Sequence, residues 1–333
     1  MKKLLFFIAI VSLFSCADNS KPKGIQTYSL QGNAIGTTYS IKFLSTKQLK
    51  AEKAIDSLIK AVNKSTSQYI PTSDISKINA GDSTLTIDHY FEDVFLTSKR
   101  IFEETNGYFD PTVGILVNTW GFGPEKTIAI PDSTTIKELL KYVGFKKVKL
   151  IAGHIIKNHP SIKFDFNAVG KGYLVDVISN YFETKNIENY MVEIGGEIRA
   201  RGHNDKNTPW TIAIENPNFD GSRSIAITIQ LNNESIASSG NYRKFKLDKN
   251  GHRYVHTINP KTGFATASNL LSASVFGAVN CADADAYATA FMAMGLEKTK
   301  AFLPKHPELK VFLIFNNKKG ALETFQNFKP RKE

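Results

Sequence analysis

The sequence has few cysteines and lacks the motifs of metal clusters and nucleic-acid binding modules. Its two cysteines, Cys16 and Cys281, exclude a disulfide framework and any site built from several thiolates. Lysine and arginine number 42 against 31 acidic residues, but they form no long basic block. Since no zinc-finger or RRM pattern is present either, we expect a solvated basic surface and no nucleic-acid partner.

The chain also lacks a hydrophobic run long enough for an ordinary membrane-spanning helix. Lys2 and Lys3 precede an apolar run of about eleven residues, which predicts a secretory signal peptide over residues 1–15. The run closes as Leu-Phe-Ser-Cys at residues 13–16 and resembles the lipobox of bacterial lipoproteins. We therefore expect lipidation of Cys16, and export to a bacterial membrane with the protein facing the periplasm. A plain secretion signal with an incidental cysteine is the alternative.

The remaining chain is predicted to be a polar tether over residues 16–25 and one compact domain over residues 26–333. Alternating apolar residues predict strands at 38–43 and 224–229. Helices are predicted over residues 48–64, 88–105, 134–142, 171–184, 281–294 and 296–304. Because strands and helices mix without a regular βαβ order, the pattern favours an α+β fold over a doubly wound sheet.

The helix predicted over residues 281–294 carries the most informative polar residues. Asn280 is suited to cap its first turn, and Asp283 lies in that turn, where a carboxylate favours the exposed N–H groups. Asp285 lies on an alanine-rich face that should be buried, with Thr289 one turn later. A buried carboxylate needs a cation or donors, and these two oxygens suit Mg²⁺ or Ca²⁺. A hydrogen bond from Thr289 to Asp285 is the alternative.

Two further segments could carry chemistry. Residues 162–166 are predicted to be a strand that enters a Gly-Lys-Gly turn at 170–172, where amide groups and Lys171 could bind an anion. The turn lacks the pattern of a Walker A loop, and a plain connection is the alternative. His256 ends a strand before the Asn-Pro-Lys-Thr-Gly turn at 259–263, so it could act as a base or be an ordinary strand histidine.

Loops rich in glycine and aromatic residues complete the pattern. They occur at residues 67–76, 109–124, 192–197 and 238–242. Such loops can clasp a flat ring, although packing around turns also explains them. Together with the polar segments they suggest a site for an extended, anionic, aromatic ligand and a divalent cation.

Taken in chain order, these segments resemble the ApbE family of FAD:protein FMN transferases, which are often exported bacterial lipoproteins. The resemblance covers about residues 32–300. It is carried by residues 36–38, 69–73, 109–114, 120–123, 165–172, 195–196, 239–240, 256–263 and 285–289. It implies an α+β fold with a T-fold-like part, and an enzyme that moves FMN from FAD onto a Thr or Ser hydroxyl and releases AMP.

The resemblance also implies roles for individual residues. His256 would be the base that activates the acceptor hydroxyl, or would help to organise it. Asp285 and Thr289 would hold Mg²⁺, or alternatively Ca²⁺, together with the backbone carbonyl of Ala168. The flavin nucleotide would lie against Ile35, Tyr69, Tyr108, Phe109, Asp110, Asp165, Lys171 and Ile258. Two positions depart from the family pattern, since relatives often carry Met where Ile35 stands and Asp where Asn259 stands.

The chain does not contain the family's acceptor pattern. The nearest stretch, residues 283–289, places Tyr287 at the position of the modified hydroxyl. We therefore expect the chain to modify another protein, and an exported or membrane electron-transfer subunit is the natural acceptor. Two other functions stay open: a metal-dependent FAD pyrophosphatase that gives FMN and AMP, and a lipid-anchored protein that only binds FAD.

Overall fold

The computed structural model describes residues 24–125, 130–242, 245–247, 253–265 and 268–329. The predicted signal peptide and Cys16 lie outside these residues, as does most of the tether. The helices are α1 (Glu52–Thr66), α2 (Asp74–Ala80), α3 (His89–Glu104), α4 (Gly114–Thr119), α5 (Ser133–Leu140), α6 (Gly170–Thr184), α7 (Cys281–Met294) and α8 (Leu296–Phe302). Short 3₁₀ turns occur at Phe145–Lys147 and Leu303–Lys305.

The described strands form one large sheet and three two-stranded sheets. They are β1 (Gln26–Ala34), β2 (Thr37–Ser45), β3 (Val148–Ile151), β4 (His154–Lys157), β5 (Tyr190–Ile194), β6 (Glu197–Arg201), β7 (Trp210–Glu215), β8 (Ile225–Leu231), β9 (Glu234–Gly240), β10 (Phe245–Leu247), β11 (Arg253–Val255), β12 (Leu270–Gly277), β13 (Lys310–Asn316) and β14 (Leu322–Gln326). The eight-stranded sheet has the order β1-β2-β5-β6-β9-β12-β13-β14, and every pair in it is antiparallel. The pairs β3-β4, β7-β8 and β10-β11 stand apart.

The two faces of the large sheet are covered by different elements. Helices α1, α6 and α7 pack on one face, where Phe43 of β2 lies with its ring centroid 5.1 Å from that of Phe182 of α6. The β7-β8 hairpin covers the other face, and its Trp210 and Leu231 pack with Ile314 of β13. Since both faces bury apolar side chains, the sheet is the centre of the core, and the α+β prediction is confirmed.

A smaller apolar cluster holds the segment that follows β11. Leu116 and Trp120, in and just after α4, pack with Ile258 and Ala265. The indole nitrogen of Trp120 donates a hydrogen bond of 2.9 Å to the carbonyl of Gly263. This cluster therefore fixes the chain on the C-terminal side of His256.

The observed helices agree with the predicted ones for the long, periodic segments, and α7 has the predicted limits. The short helices α2 and α4 were not predicted. Helix α2 begins at a serine cap, in which the Ser73 hydroxyl accepts a hydrogen bond of 3.2 Å from the Ser76 amide. Helices of this length show too little periodicity to be recognised by pattern.

The strand predicted over residues 162–166 was wrong. In place of a strand ladder, the backbone of Lys163 forms an isolated β-bridge to Val113. The Asn79 side chain takes the place of a partner strand, because its amide group bonds both the N–H and the carbonyl of Phe164, at 2.7 and 2.9 Å. The Gly-Lys-Gly sequence is also not a turn before the helix, since it forms the first turn of α6.

No helix in the described part of the chain combines the length and the apolar character that a membrane crossing requires.

Candidate active site

Helix α7 begins against a carboxylate that comes from α6. The two oxygens of Asp176 accept hydrogen bonds from the amides of Cys281 and Ala282, at 3.0 and 2.9 Å. Arg199 of β6 pairs with the same carboxylate at 3.1 Å. Burial raises the pKa of Asp176 to about 6, although the two amides and Arg199 favour the ionised form. Asn280, the predicted cap, makes no capping bond with its side chain.

Asp285 lies one turn further along α7 and is 2% exposed. Its Oδ2 accepts a hydrogen bond of 3.0 Å from the amide of Gly172 in the first turn of α6. The two helices approach so closely that a Cβ atom on Gly172 would stand 2.3 Å from the carbonyl oxygen of Cys281. Burial raises the pKa of Asp285, while Lys171 and the Gly172 amide act in the opposite direction. The carboxylate is thus held by α6 and directed towards Lys171.

Lys171 lies between two carboxylates. Its Nζ is 3.9 Å from Oδ1 of Asp285 and forms a hydrogen-bonded ion pair with Oε1 of Glu197. Burial alone would lower the pKa of Lys171, but the charges of Asp285 and Glu197 outweigh it and raise that pKa above its ordinary value. Burial raises the pKa of Glu197 to about 7, although the positive charge of Lys171 acts in the opposite direction. Lys171 is therefore an ammonium at neutral pH.

Glu197 was not among the predicted site residues. It opens β6 directly after the Gly195-Gly196 turn, in which both glycines have positive φ, 60° and 105°. Its side chain is almost completely buried, and within the described residues its Oε2 has no hydrogen-bond partner. The Gly-Gly-Glu sequence marked a turn, but nothing in it indicated that the carboxylate points inward to Lys171.

Thr289 and Ser239 continue the site along α7. The Thr289 hydroxyl lies 3.0 Å from the hydroxyl of Ser239, near the end of β9. Asp285 bonds the Gly172 amide, and no bond joins Asp285 to Thr289, both of which are described residues. The helical hydrogen bond that the spacing allowed is therefore absent here, and both oxygens face elements outside α7.

His256 follows β11 in a segment that runs beside the second half of α7. The Thr257 hydroxyl donates a bond of 2.9 Å to the side chain of Asn241, two residues after Ser239. The Asn259 side chain donates to the carbonyl of Ala293 in the last turn of α7, at 3.4 Å. The His256 ring packs edge-on against Phe122, with centroids 6.4 Å apart. These contacts fix the residues after His256 beside the last turn of α7 and beside the end of β9.

The loop before α6 brings together three of the predicted residues. Asp165 is buried and accepts a bond of 2.8 Å from the Asn167 amide, and burial raises its pKa. The Asn167 side chain donates to the hydroxyl of Tyr69 at 3.2 Å, while the Tyr69 side chain is largely open to solvent. Ala168 lies in this same loop, three residues before Lys171. Tyr69, Asp165 and Ala168 therefore surround the start of α6.

Ile35 lies at the tip of the β1-β2 hairpin, where its φ of 42° is unusual for a β-branched residue. The tip lines an open groove of about 470 Å³ together with Asn63 of α1. The Gly195 amide donates a bond of 3.1 Å to the carbonyl of Thr38 in β2. This bond places the hairpin beside the Gly195-Gly196 turn that leads to Glu197.

The other predicted ligand-binding residues are engaged in packing or with lysines. Phe109 is part of the main core, and Ile258 belongs to the cluster around Trp120. Asp110 is buried and accepts bonds from the amides of Thr112 and Phe145, at 2.8 and 3.1 Å. Burial raises the pKa of Asp110 to about 6 despite these bonds.

Tyr108 lies between two lysines. Lys298 of α8 donates a hydrogen bond to its hydroxyl and lies over its ring, and Lys261 also lies over the ring, at 5.2 Å from the centroid. Of the predicted ligand contacts, the structure thus brings Tyr69, Asp165 and Lys171 to the start of α6, and it gives Phe109, Asp110 and Ile258 supporting positions.

The donors around Asp285 suit a hard cation. Among the described residues no group of three or more His, Cys, Asp or Glu side chains could hold a metal ion. A cation here would therefore have one buried carboxylate, that of Asp285, and would complete its ligands with neutral oxygens such as the Thr289 hydroxyl one turn later. Oxygen-only sets with one carboxylate are typical of Mg²⁺, which keeps its other positions for water and phosphate. The residues present fit such an ion.

Comparison with known proteins gives one consistent result. The chain matches the model of the ApbE family over residues 35–313. An FAD:protein FMN transferase of Haemophilus influenzae is 35% identical over 337 aligned residues, which cover 96% of this chain and 95% of that protein. A second, from Vibrio cholerae, is 34% identical over 98% of both chains. The solved structure of the flavin transferase ApbE from Vibrio cholerae matches with a TM-score of 0.81 and 32% identity, covering 91% of this chain and 97% of that one.

Proposed function

Because the chain belongs to the ApbE family and is an enzyme that transfers FMN from FAD to protein, we propose that it joins FMN to a Thr or Ser hydroxyl through a phosphoester, in a Mg²⁺-dependent reaction that releases AMP. One observation carries the metal and phosphate part of this proposal. A buried carboxylate, Asp285, and a partly buried ammonium, Lys171, lie 3.9 Å apart at the first turn of α6.

The cation would be held by Asp285, Thr289 and the carbonyl of Ala168. When bound, Mg²⁺ supplies charge neutralisation for the oxygens of the FAD diphosphate. Lys171 adds a fixed positive charge on the same side, and the amides at the start of α6 favour anions. Together these groups lower the cost of placing a diphosphate against two buried carboxylates.

The transfer step needs a base and a nucleophile, and the nucleophile is the Thr or Ser hydroxyl of the target protein. The acceptor hydroxyl oxygen attacks the phosphorus of the FMN half, and its proton passes to the His256 imidazole. The new O–P bond forms as the P–O bond to the AMP phosphate breaks, and the electron pair leaves with AMP. A positioned base of this kind contributes about 10² to 10⁴ in rate. Tyr69, a residue that is 56% exposed, can pack against the flavin from the open side.

The first experiment follows both products. The purified chain is incubated with FAD and Mg²⁺, with and without a peptide that carries a candidate acceptor Thr or Ser. We expect AMP and a peptide whose mass has increased by one FMN unit. Free FMN with no peptide adduct would show an FAD pyrophosphatase instead, and bound FAD without AMP would show a protein that only binds flavin.

Two variants assign the roles. Asp285→Ala should abolish Mg²⁺-dependent turnover, because the cation loses its carboxylate. His256→Ala should still bind FAD but lose transfer. Asp220→Ala removes an exposed loop carboxylate and is the control that should keep wild-type activity. Wild-type transfer by the His256 variant would contradict the role of that residue as the base.

We propose further that the chain is exported and anchored by a lipid on Cys16, and that it acts on an exported or membrane-bound electron-transfer subunit. The sequence at residues 13–16 supports the anchor. Cys16→Ser should move the protein from the membrane fraction to the soluble fraction after cell lysis. Retention of this variant in the membrane fraction would contradict the anchor.

A further inference from the structure

Lys171 is shared unequally between two buried carboxylates. Its ammonium is hydrogen-bonded to Glu197, whereas Asp285 lies 3.9 Å away, beyond hydrogen-bond distance. Both carboxylates are almost completely buried. Two carboxylates that are shielded from water therefore compete for one ammonium.

Glu197 has a second oxygen that could accept a hydrogen bond from the ammonium of Lys171. One of its oxygens bonds Lys171, and the other, Oε2, is buried without a partner in the described part of the chain. A buried acceptor without a donor is costly, and a lysine has three N–H donors to offer. Both oxygens of Glu197 can thus accept hydrogen bonds from Lys171 when the ammonium moves away from Asp285.

The backbone just before Glu197 is fixed by two hydrogen bonds. The amide of Gly196 donates a bond of 2.7 Å to the Glu193 side chain, and Gly195 bonds the neighbouring hairpin. Gly195 also has a positive φ, and an added Cβ atom would stand 2.8 Å from the Thr37 side chain. The turn therefore presents the Glu197 carboxylate at a set place relative to α6.

We propose that Glu197 is a positioning residue that draws the ammonium of Lys171 away from Asp285 and so keeps Asp285 available to a divalent cation. Without Glu197, Lys171 would pair with Asp285 alone, as an internal cation that competes with the metal. The effect of Glu197 on metal affinity thus passes through Lys171. This inference rests on the proposed metal site at Asp285, and it adds a residue that the donor set itself does not include.

The test measures metal binding without FAD and without turnover. Mn²⁺ is the probe, and the free ion is followed by electron paramagnetic resonance as the purified full chain is titrated. The variants are Glu197→Gln, Lys171→Met and the two combined. Glu188→Gln is the matched control, because it removes one exposed carboxylate and changes the net charge equally.

We expect Glu197→Gln to weaken Mn²⁺ binding about fivefold or more, a size typical of coupling between sites. Lys171→Met should strengthen binding, because the competing cation is gone. In the Lys171→Met background, Glu197→Gln should then change the affinity less than about twofold, since the path through Lys171 no longer exists. Glu188→Gln should bind as the wild type does.

Two different results would distinguish a failure of the proposed metal site from a failure of the positioning role of Glu197. Wild-type protein that binds no Mn²⁺, or binds it equally well after Asp285→Ala, would remove the metal site and this inference with it. Wild-type binding that depends on Asp285, with the same loss from Glu197→Gln in both backgrounds, would show that Glu197 attracts the metal directly and would overturn the positioning role alone. Glu197→Asp, which keeps the charge, should retain most of the affinity and guards against a folding artefact.

Discussion

Replacing Asp176 tests how α7, the helix that carries Asp285 and Thr289, is held in place. The carboxylate accepts the amides of Cys281 and Ala282, two residues whose surroundings exclude water. At pH 7.5 the group is ionised, because this pH lies above the pKa of about 6 that burial gives it. Asp176→Ala leaves both amides buried without an acceptor, whereas Arg199 keeps its second partner, Glu183, at 3.0 Å.

The expected loss can be worked out from these contacts. Each buried donor left without a partner costs about 1–3 kcal/mol, and removal of a helix cap costs about 1 kcal/mol. Relief of the buried charge offsets part of this cost. We therefore expect Asp176→Ala to lower the free energy of unfolding by about 2–4 kcal/mol.

The assay is urea unfolding at pH 7.5, followed by circular dichroism. Asn280→Ala is the matched control, because Asn280 stands at the cap position but makes no capping bond with its side chain. It should change the free energy of unfolding by less than about 0.5 kcal/mol. A loss below about 1 kcal/mol for Asp176→Ala, or equal losses in the two variants, would refute the reasoning.

Two further predictions concern stability. Gly172→Ala should lower the free energy of unfolding in urea by about 1–3 kcal/mol, because the added Cβ atom would stand 2.3 Å from the Cys281 carbonyl oxygen. Gly170→Ala is the control and should be neutral or slightly stabilising, because its Cβ atom would meet nothing within 4 Å. Equal effects of the two variants would contradict the close contact between the helices. Burial raises the pKa of Asp110 to about 6, so the folded state binds this proton more tightly than the unfolded state, and the contribution of Asp110 to stability falls as pH rises from about 4 to about 6. Asp110→Asn should remove that part of the pH dependence, and a pH profile of unfolding that is unchanged in the variant would contradict it.

The sequence was sufficient where local signals agree with the tertiary structure. Helix α7 was predicted with its limits because an alanine-rich run lies between Asn280 and Gly295, and the burial of Asp285 followed from its apolar surroundings. The start of α7 shows the limit of this reasoning. Its capping group is Asp176, more than a hundred residues earlier, and no local pattern identifies a cap that comes from another helix.

Other parts of the site depended on contacts that the sequence does not display. The segment at 162–166 has strand-like alternation, but its backbone bonds the side chain of Asn79 and not a strand. Glu197 follows two glycines and gave no sign of being buried, because only the sheet order places β6 next to the start of α6. The resemblance to the ApbE family named the residues that would touch the ligand, and it left out the carboxylate that holds Lys171.

The amide of Gly172 offers a direct view of the site in solution. In most helices the first-turn N–H groups exchange with water within moments, but this one donates to a carboxylate in the interior. Its hydrogen should exchange about as slowly as the amide hydrogens of the central strands. Its nuclear magnetic resonance frequency should shift when a cation binds the carboxylate of Asp285. One glycine signal would thus report on the occupancy of the cation site.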